Sequence, residues 1–274
     1  MQISGYRKSI IILLVTALHS HGLIVGGQET IFIEGAKGVG VIAGRISESD
    51  ARRDAINQAK IEALRKAGVT EHLSSYELLF TSESDHDYSE FFSSDVQSEL
   101  QGAVQYYQIV DEQRKLNPYS NLFEYEVTID ATVIKYTTRP DPAFITKVKG
   151  IKGVYDRGET LSFSVHSTKD CYLSIFNITD NNAYLMYPNQ WEVHQEIAAG
   201  ETKEFPFGFV EYYLDNSSSE PEVNRLIFVF TKEPVYFFQY EDEDQSTDAE
   251  IIFSWIYSIT PDIRRVDYHT FVIR

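Results

Sequence analysis

Alternation of apolar and polar positions is the clearest pattern in the first half of the chain. Residues 102–116 (GAVQYYQIVDEQRKL) and 121–136 (NLFEYEVTIDATVIKY) both alternate, and NPYS joins them with proline at a favourable turn position. A period of two is typical of strands with one buried face. The pattern therefore predicts a long β-hairpin across residues 102–136.

A helical period replaces this alternation in residues 51–68 (ARRDAINQAKIEALRKAG), where alanine recurs every fourth position. Ser47 and Asp50 fit a capping box, and Gly68 follows the last alanine, where a helix commonly ends. Small side chains on one face predict a helix that packs closely on a sheet. Its five basic residues allow two interpretations, a patch for an anionic ligand or a solvated outer face, and their spread around the polar side favours the solvated face.

Glycine-broken apolar runs precede this helix. TIFIEG (30–35) and GVGVIAG (38–44) predict two short strands. The second run only superficially resembles a dinucleotide-binding fingerprint, because its third glycine, Gly44, comes one position late. These glycines are better explained by bulges or by close approach of the backbone.

The second half of the chain consists of short apolar runs separated by turn residues. The segments DRG, TKD, DNN, AAG and DNSSSEPE separate them. The runs that predict strands are 159–167, 171–178, 183–187, 202–207, 224–232 and 268–274. Regular short strands of this kind favour an antiparallel β-sandwich. Residues 247–259 are less clear and are interpreted as a short helix that crosses an end of the sandwich.

These patterns predict an α+β fold in two domains. TTRPDPAF (137–144) contains two prolines and marks the boundary. We predict a small α/β domain, a helix on a sheet with a long hairpin, at 23–140. A linker at 141–149 and the β-sandwich at 150–274 follow.

The N-terminus has the pattern of a signal peptide over residues 1–22. Arg7 and Lys8 precede the apolar run 9–18, which is too short to span a bilayer. Small residues in HSHG (19–22) favour cleavage after Gly22, with Gly27 as a second position. An uncleaved N-terminal anchor is the alternative. We expect an exported protein of the periplasm or cell surface, either soluble or peripheral to a membrane.

Composition and charge narrow the function classes. The 274-residue chain has a net charge of −17, which disfavours nucleic-acid binding because that binding depends on basic residues. It contains 18 Tyr and 17 Phe, residues that favour strands. Cys171 is the only cysteine, so no disulfide forms within the chain.

Candidate chemistry is sparse. Cys171 with His166 or His194 suggests a cysteine nucleophile, but an apolar run surrounds Cys171 and no characteristic nucleophile motif does. A Ser-His-Asp site is weakened as an interpretation, because no Gly-x-Ser-x-Gly motif occurs. The scattered histidines form no zinc motif. The acidic run 240–250 offers Glu241, Asp242, Glu243 and Asp244 to Ca²⁺, but it lacks EF-hand spacing and is interpreted as a solvated loop. We predict no catalytic residue, no metal ligand and no cofactor.

Aromatic residues provide the best candidates for a binding surface. They concentrate in residues 205–213 (FPFGFVEYY) and 234–240 (PVYFFQY), where they either fill the core or contact a ligand. The residues predicted to form a ligand or partner surface are Tyr187, Asn189, Trp191, Phe209, Tyr212 and Tyr213.

Two family resemblances accompany these patterns. GVGVIAGRISESDARRDAINQAKIEALRKAG, ELQGAVQYYQIVDEQ and FEYEVTIDATV resemble the α/β domain shared by the flagellar assembly protein T N-terminal region and the lipoprotein-20 family. YDRGETLSFSV, DCYLSIFNI, AYLMYPN and IAAGETKEFPF are similar to the domain-of-unknown-function family 4384, with LMYPN in place of that family's LYPN. The resemblances imply an exported bacterial protein with an accessory role, and they carry no reaction.

We therefore predict a non-catalytic binding or assembly module of the cell envelope, with an envelope protein as its partner. The alternative is a glycan- or peptide-binding protein that uses sandwich-end loops and exposed aromatics. A hydrolase with an unrecognised site is the third interpretation. The sequence sets no oligomeric state.

Overall fold

The computed structural model describes residues 23–25, 27–69, 100–179, 183–216, 220–237, 247 and 249–274. These residues are mostly β-strand and contain two helices, α1 (Glu48–Lys66) and α2 (Ala249–Ser258), which agrees with the predicted α+β class and with sandwich-like sheets. The predicted signal peptide and residues 241–244 of the candidate Ca²⁺ run lie outside them. Within the described part of the chain, neither helix has the length and apolar character needed to cross a membrane.

The first sheet contains four antiparallel strands in the order β1-β2-β4-β3. Their bounds are β1 (Leu23–Val25), β2 (Gln28–Ile42), β3 (Gly102–Leu116) and β4 (Phe123–Tyr136). β3 and β4 form the predicted hairpin. The two strands predicted at 30–35 and 38–44 are instead one strand, β2, because an irregularity between Ile33 and Ala36 lets it continue past Gly35.

Helix α1 lies directly on β2. The Ser47 side chain accepts from the Asp50 backbone N–H, and the Asp50 carboxylate accepts from the Ser47 N–H, so the predicted capping box is present. A Cβ atom added to Gly38 would lie 1.9 Å from the Ala55 carbonyl oxygen, and one added to Gly40 would lie 1.8 Å from that of Ala51. The glycines therefore allow the helix backbone to rest on the strand.

The basic residues of α1 are engaged within the protein. Arg52 bonds to Glu112, Arg53 to Asp50 and Arg65 to Glu62, while Lys60 pairs with Glu250 of α2 and Lys66 donates to the Gly35 carbonyl. Arg52, Arg53, Arg65 and Lys66 are at least partly exposed, which agrees with the predicted solvated face, whereas Lys60 is only 6% exposed and the prediction is wrong for it.

The second half forms a sandwich of three sheets. A larger sheet has the path β10-β9-β14-β15-β6 with β11 beside β9, and it faces the smaller sheets β12-β8-β5 and β13-β7. The strands are β5 (Thr146–Lys149), β6 (Val154–Tyr155), β7 (Thr160–Leu161), β8 (Phe163–Ser167), β9 (Cys171–Ile178), β10 (Ala183–Tyr187), β11 (Glu196–Ile197), β12 (Thr202–Phe205), β13 (Tyr212–Tyr213), β14 (Glu222–Thr231) and β15 (Arg264–Ile273).

Two details differ from the predicted antiparallel sandwich. β15 pairs with β6 in parallel, so one strand pair departs from the antiparallel pattern. Part of the predicted linker 141–149 is the strand β5, which pairs with β8. β4 ends at Tyr136, before the prolines at 140 and 142, and β5 begins at Thr146, a few residues after them.

Strands β9 and β14 are buried on both faces. Leu173 and Ile175 of β9 lie in the sandwich core, whereas Phe176 and Ile178 lie in a second core that also contains residues of α1, α2 and the first sheet. Alternate positions of a strand point to opposite faces. The large sheet therefore has an apolar layer on each side.

Helix α2 lies between the two halves of the chain. The sequence predicts a short helix here but places it across an end of the sandwich. In the structure, Phe253 and Ile256 belong to the core shared with the first sheet, and the Trp255 ring centroid is 5.4 Å from that of Phe176. The Ser254 hydroxyl donates to the Gln105 carbonyl of β3 at 2.8 Å. The helix thus covers the outer face of the large sheet, because that face is apolar.

Asp141 anchors the segment that leads into the sandwich. Its Oδ2 accepts from Lys169 Nζ at 2.7 Å and Lys232 Nζ at 3.0 Å, and Oδ1 accepts from the Ala143 N–H at 3.0 Å. These bonds hold the pKa of the Asp141 carboxyl well below its usual value, with the Lys169 bond contributing most.

Gly38→Ala is expected to destabilise the fold by about 1–3 kcal/mol or more, because the added Cβ collides with the α1 backbone. Gly153→Ala is the matched control, since a Cβ at Gly153 has no neighbour within 4 Å. Urea unfolding followed by circular dichroism measures both variants. Equal stability of the two variants would contradict the described contact.

Asp141→Asn is expected to lower the free energy of unfolding at neutral pH. Because the folded pKa is depressed, the ionised carboxylate stabilises the fold above the ordinary aspartate pKa of about 3.9 and loses this contribution as pH falls through the folded value. The difference between wild type and Asp141→Asn should therefore shrink below about pH 4. Urea unfolding at a series of pH values measures it, with the exposed Asp54→Asn as control. A difference that stays constant with pH would refute the assigned role.

Candidate functional site

Two loops at one end of the sandwich carry three of the six predicted surface residues, and the other three lie in the strands beside them. The first loop, residues 188–195, follows β10, and the second, residues 206–211, connects β12 to β13. Three predicted residues are exposed: Trp191 at 73%, Tyr213 at 68%, and Phe209 fully. These three side chains could contact a partner without any rearrangement.

The other three predicted residues hold the loops in place. Tyr187 is fully buried, and its hydroxyl donates to the His194 carbonyl, so its prediction as a surface residue is wrong. Its ring packs against Phe205 with centroids 5.0 Å apart, which explains the burial. Asn189 and Tyr212 are half-buried and make hydrogen bonds within the protein.

The fully buried carboxylate of Glu192 joins the two loops. Glu192 Oε2 accepts from the Tyr212 hydroxyl at 2.6 Å and from Asn189 Nδ2 at 2.9 Å, while Oε1 accepts from the Phe207 N–H at 3.1 Å. A buried carboxylate is tolerated when donors of this kind satisfy it. We call Glu192 with its three donors the Glu192 clamp.

The surroundings of the clamp favour neutral phenols. Burial, together with the adjacent Glu192 carboxylate, raises the pKa of Tyr212, and burial also raises the pKa of Tyr187. Tyr212 therefore remains a hydrogen-bond donor to Glu192 across the physiological pH range. Burial also lowers the pKa of Lys203, whose Nζ lies 4.7 Å from the ring centroid of Phe207.

Asn189 gives the first loop its shape. Its Oδ1 accepts from the backbone N–H groups of Trp191 and Glu192, both at 2.9 Å, and its Nδ2 donates to the Met186 carbonyl at 3.1 Å. This asparagine-centred turn exposes Trp191 while it directs Glu192 inward. The neighbouring positions 191 and 192 thus face solvent and core respectively.

A groove of about 570 Å³ opens beside the loops, between the large sheet and β13. We call it the end groove. Asn189, Tyr212 and Tyr213 line it, whereas Trp191 and Phe209 do not. The six predicted residues are therefore divided between the groove, the loop tips and the core.

A chain of side-chain amides lies along the groove wall. Asn224 Nδ2 donates to Glu222 Oε1 at 3.0 Å, and Asn177 Nδ2 donates to Asn224 Oδ1 at 2.7 Å and to the Tyr184 hydroxyl oxygen at 3.0 Å. Asn177 Oδ1 is buried and has no hydrogen-bond partner. All four of these residues line the end groove.

The cysteine considered from sequence does not resemble a nucleophile. Cys171 is buried in the sandwich core, and burial raises the pKa of its thiol, whereas a nucleophilic cysteine needs a lowered pKa. His166 Nδ1 lies 2.9 Å from the Glu201 carbonyl oxygen. Among the described residues, no cluster of three or more His, Cys, Asp or Glu side chains is arranged to hold a metal ion.

Sequence reasoning missed Glu192, Asn177, Asn224 and Glu222. Asn177 carried a usable signal, because asparagine is depleted in strands and here interrupts the apolar run SIFNI. Glu192 carried none, since a glutamate in a polar loop is ordinarily solvated. Only the folded arrangement brings its three donors together.

Glu192→Gln is expected to lower the free energy of unfolding by about 1–3 kcal/mol, because an amide cannot accept from all three donors of the clamp. The exposed Glu204→Gln is the matched control, with an expected change within about 0.5 kcal/mol. Urea unfolding of both variants measures the effect. A Glu192→Gln variant as stable as the control would show that the clamp contributes nothing.

Comparison with known proteins gives a family match, which lies in the second half of the chain. No curated protein matches the chain. Residues 154–234, which run from β6 to just beyond β14 and include both loops and the clamp, match the family described as a domain of unknown function (DUF4384).

Proposed function

We propose that this protein is a non-catalytic binding module of the cell envelope that docks on an envelope protein through the end of its sandwich. The observation that carries the proposal is the exposure of Trp191 and Phe209 on loops that the Glu192 clamp immobilises. Exposed aromatic side chains held in a fixed geometry bind partners at little conformational cost.

Export to the periplasm or cell surface belongs to this proposal. Its support is the sequence pattern of residues 1–22, where Arg7 and Lys8 precede a short apolar run. The acidic chain supports a partner other than nucleic acid. We also assign residues 23–140 to the flagellar assembly protein T N-terminal or lipoprotein-20 type, since the glycine-rich strand β2 and the alanine-rich helix α1 follow the order of that resemblance.

A second candidate is the binding of a peptide or glycan at the end groove. Its support is the groove itself, which is close to the loops yet separate from their tips. A hydrolase has less support, because Cys171 is buried with a raised pKa.

Site-specific photo-crosslinking in the native cells tests the proposed docking surface. A photoreactive phenylalanine analogue placed at Trp191 or Phe209 is expected to give a discrete crosslinked species. The control position is Tyr119, which is more exposed than Trp191 but lies in the turn of the first sheet's hairpin. Crosslinks of equal yield at all three positions, or none at Trp191 and Phe209, would reject the proposal.

A further inference from the structure

The end groove combines an apolar floor with hydrogen-bond acceptors. The half-buried side chains of Leu185, Met186 and Val210 provide its apolar surface. Asn177 and Glu222 also line the groove, and both have side-chain oxygen atoms. Such a mixture suits a ligand that has an apolar stem and a polar end.

The Glu222 carboxylate fixes the direction of the amide chain. An ionised carboxylate only accepts hydrogen bonds, so the Asn224 group beside it must be the NH₂ group. The Asn224 oxygen then faces Asn177, so Asn177 must donate to it from its own NH₂ group. The Glu222 carboxylate therefore sets the orientation of the Asn177 amide through the Asn224 amide between them.

This direction leaves an acceptor without a donor. Asn177 is only 5% exposed, and its Oδ1 has no partner in the protein. Rotating the amide to exchange O and N would place two oxygens together at Asn224. A buried, unpaired carbonyl is unfavourable and is uncommon in folded proteins, so a donor from outside the chain accounts for it best.

The charges around the groove specify the kind of donor. Glu211, Asp215 and Glu222 line it, and no lysine, arginine or histidine does so among the described residues. The Asn189 amide hydrogens are already directed to Met186 and Glu192. The groove thus has an excess of acceptors and negative charge, which favours a cationic donor over a neutral sugar.

We propose that the end groove binds a lysine or arginine side chain of a basic polypeptide. The aliphatic stem lies on the apolar floor, and the charged head donates to Asn177 Oδ1 and faces the three carboxylates. The exposed ring of Tyr213 at the groove wall adds a surface for cation–π contact. This inference rests on the second candidate of the proposed function, ligand binding at the end groove, and names the class of that ligand.

Calorimetric titration of the purified full chain tests the inference with two pairs of probes. Acetyl-Gly-Gly-Arg-Gly-Gly-amide is compared with the same peptide containing citrulline, and the lysine peptide is compared with its acetyllysine form. At least one basic peptide is expected to bind at least tenfold more tightly than its neutral partner, with affinity falling as salt rises. Equal affinity within both pairs, no binding of any peptide, or preferential binding of a neutral oligosaccharide such as chitotetraose would overturn it.

Variants locate the site. Asn177→Leu and Glu222→Gln are each expected to weaken binding of the basic peptide at least tenfold, and Glu204→Gln is expected to leave it unchanged. Glu222→Gln lies at the less buried end of the amide chain and serves if Asn177→Leu fails to fold. Unchanged affinity in a folded Asn177 or Glu222 variant would reject the groove as the site.

The crosslinking experiment separates the two proposals. If the wild-type chain binds no basic peptide but gives specific crosslinks at Trp191, the groove inference is rejected and the docking function is kept. Peptide binding without those crosslinks would reject the loop-tip surface and keep the groove.

Discussion

The packing of the two halves of the chain against each other depends on the hydrogen bonds of the buried Arg264 guanidinium. From β15, its Nη1 donates to the Ile256 carbonyl of α2 at 2.9 Å and lies 3.2 Å from the Tyr136 hydroxyl oxygen at the end of β4. The guanidinium also lies over the rings of Tyr136 and Tyr257. A cation at this depth requires polar partners. The first sheet, α2 and the large sheet must therefore meet at one point.

Because of this packing, the proposed binding surface lies on the opposite side of the large sheet. Because α2 and the first sheet cover one face, the smaller sheets cover the other, and the loops and the end groove lie where that second layer stops. The Glu192 clamp then fixes the loops to each other. The exposed aromatic residues thus project from a region that is supported by two apolar cores.

Local sequence patterns predicted the helices and strands, but they did not predict contacts between residues that are distant in the sequence. The hairpin, α1 with its capping box, and most sandwich strands follow from periodicity and turn residues. Burial of β9 and β14 on both faces was not predicted, because the helix that covers the second face, α2, was placed across an end of the sandwich. Tyr187 was expected at the surface because an exposed and a buried tyrosine look alike in sequence. Glu192 has donors at positions 189, 207 and 212, which only the fold brings together.

The contact between α1 and β2 has a consequence for conformational entropy. Gly38 and Gly40 meet Ala51, Ala55 and Ala59 almost entirely through backbone atoms. Glycine and alanine have no side-chain rotamers to lose when they become buried. At these positions the helix and strand therefore associate with the ordering cost confined to the backbone.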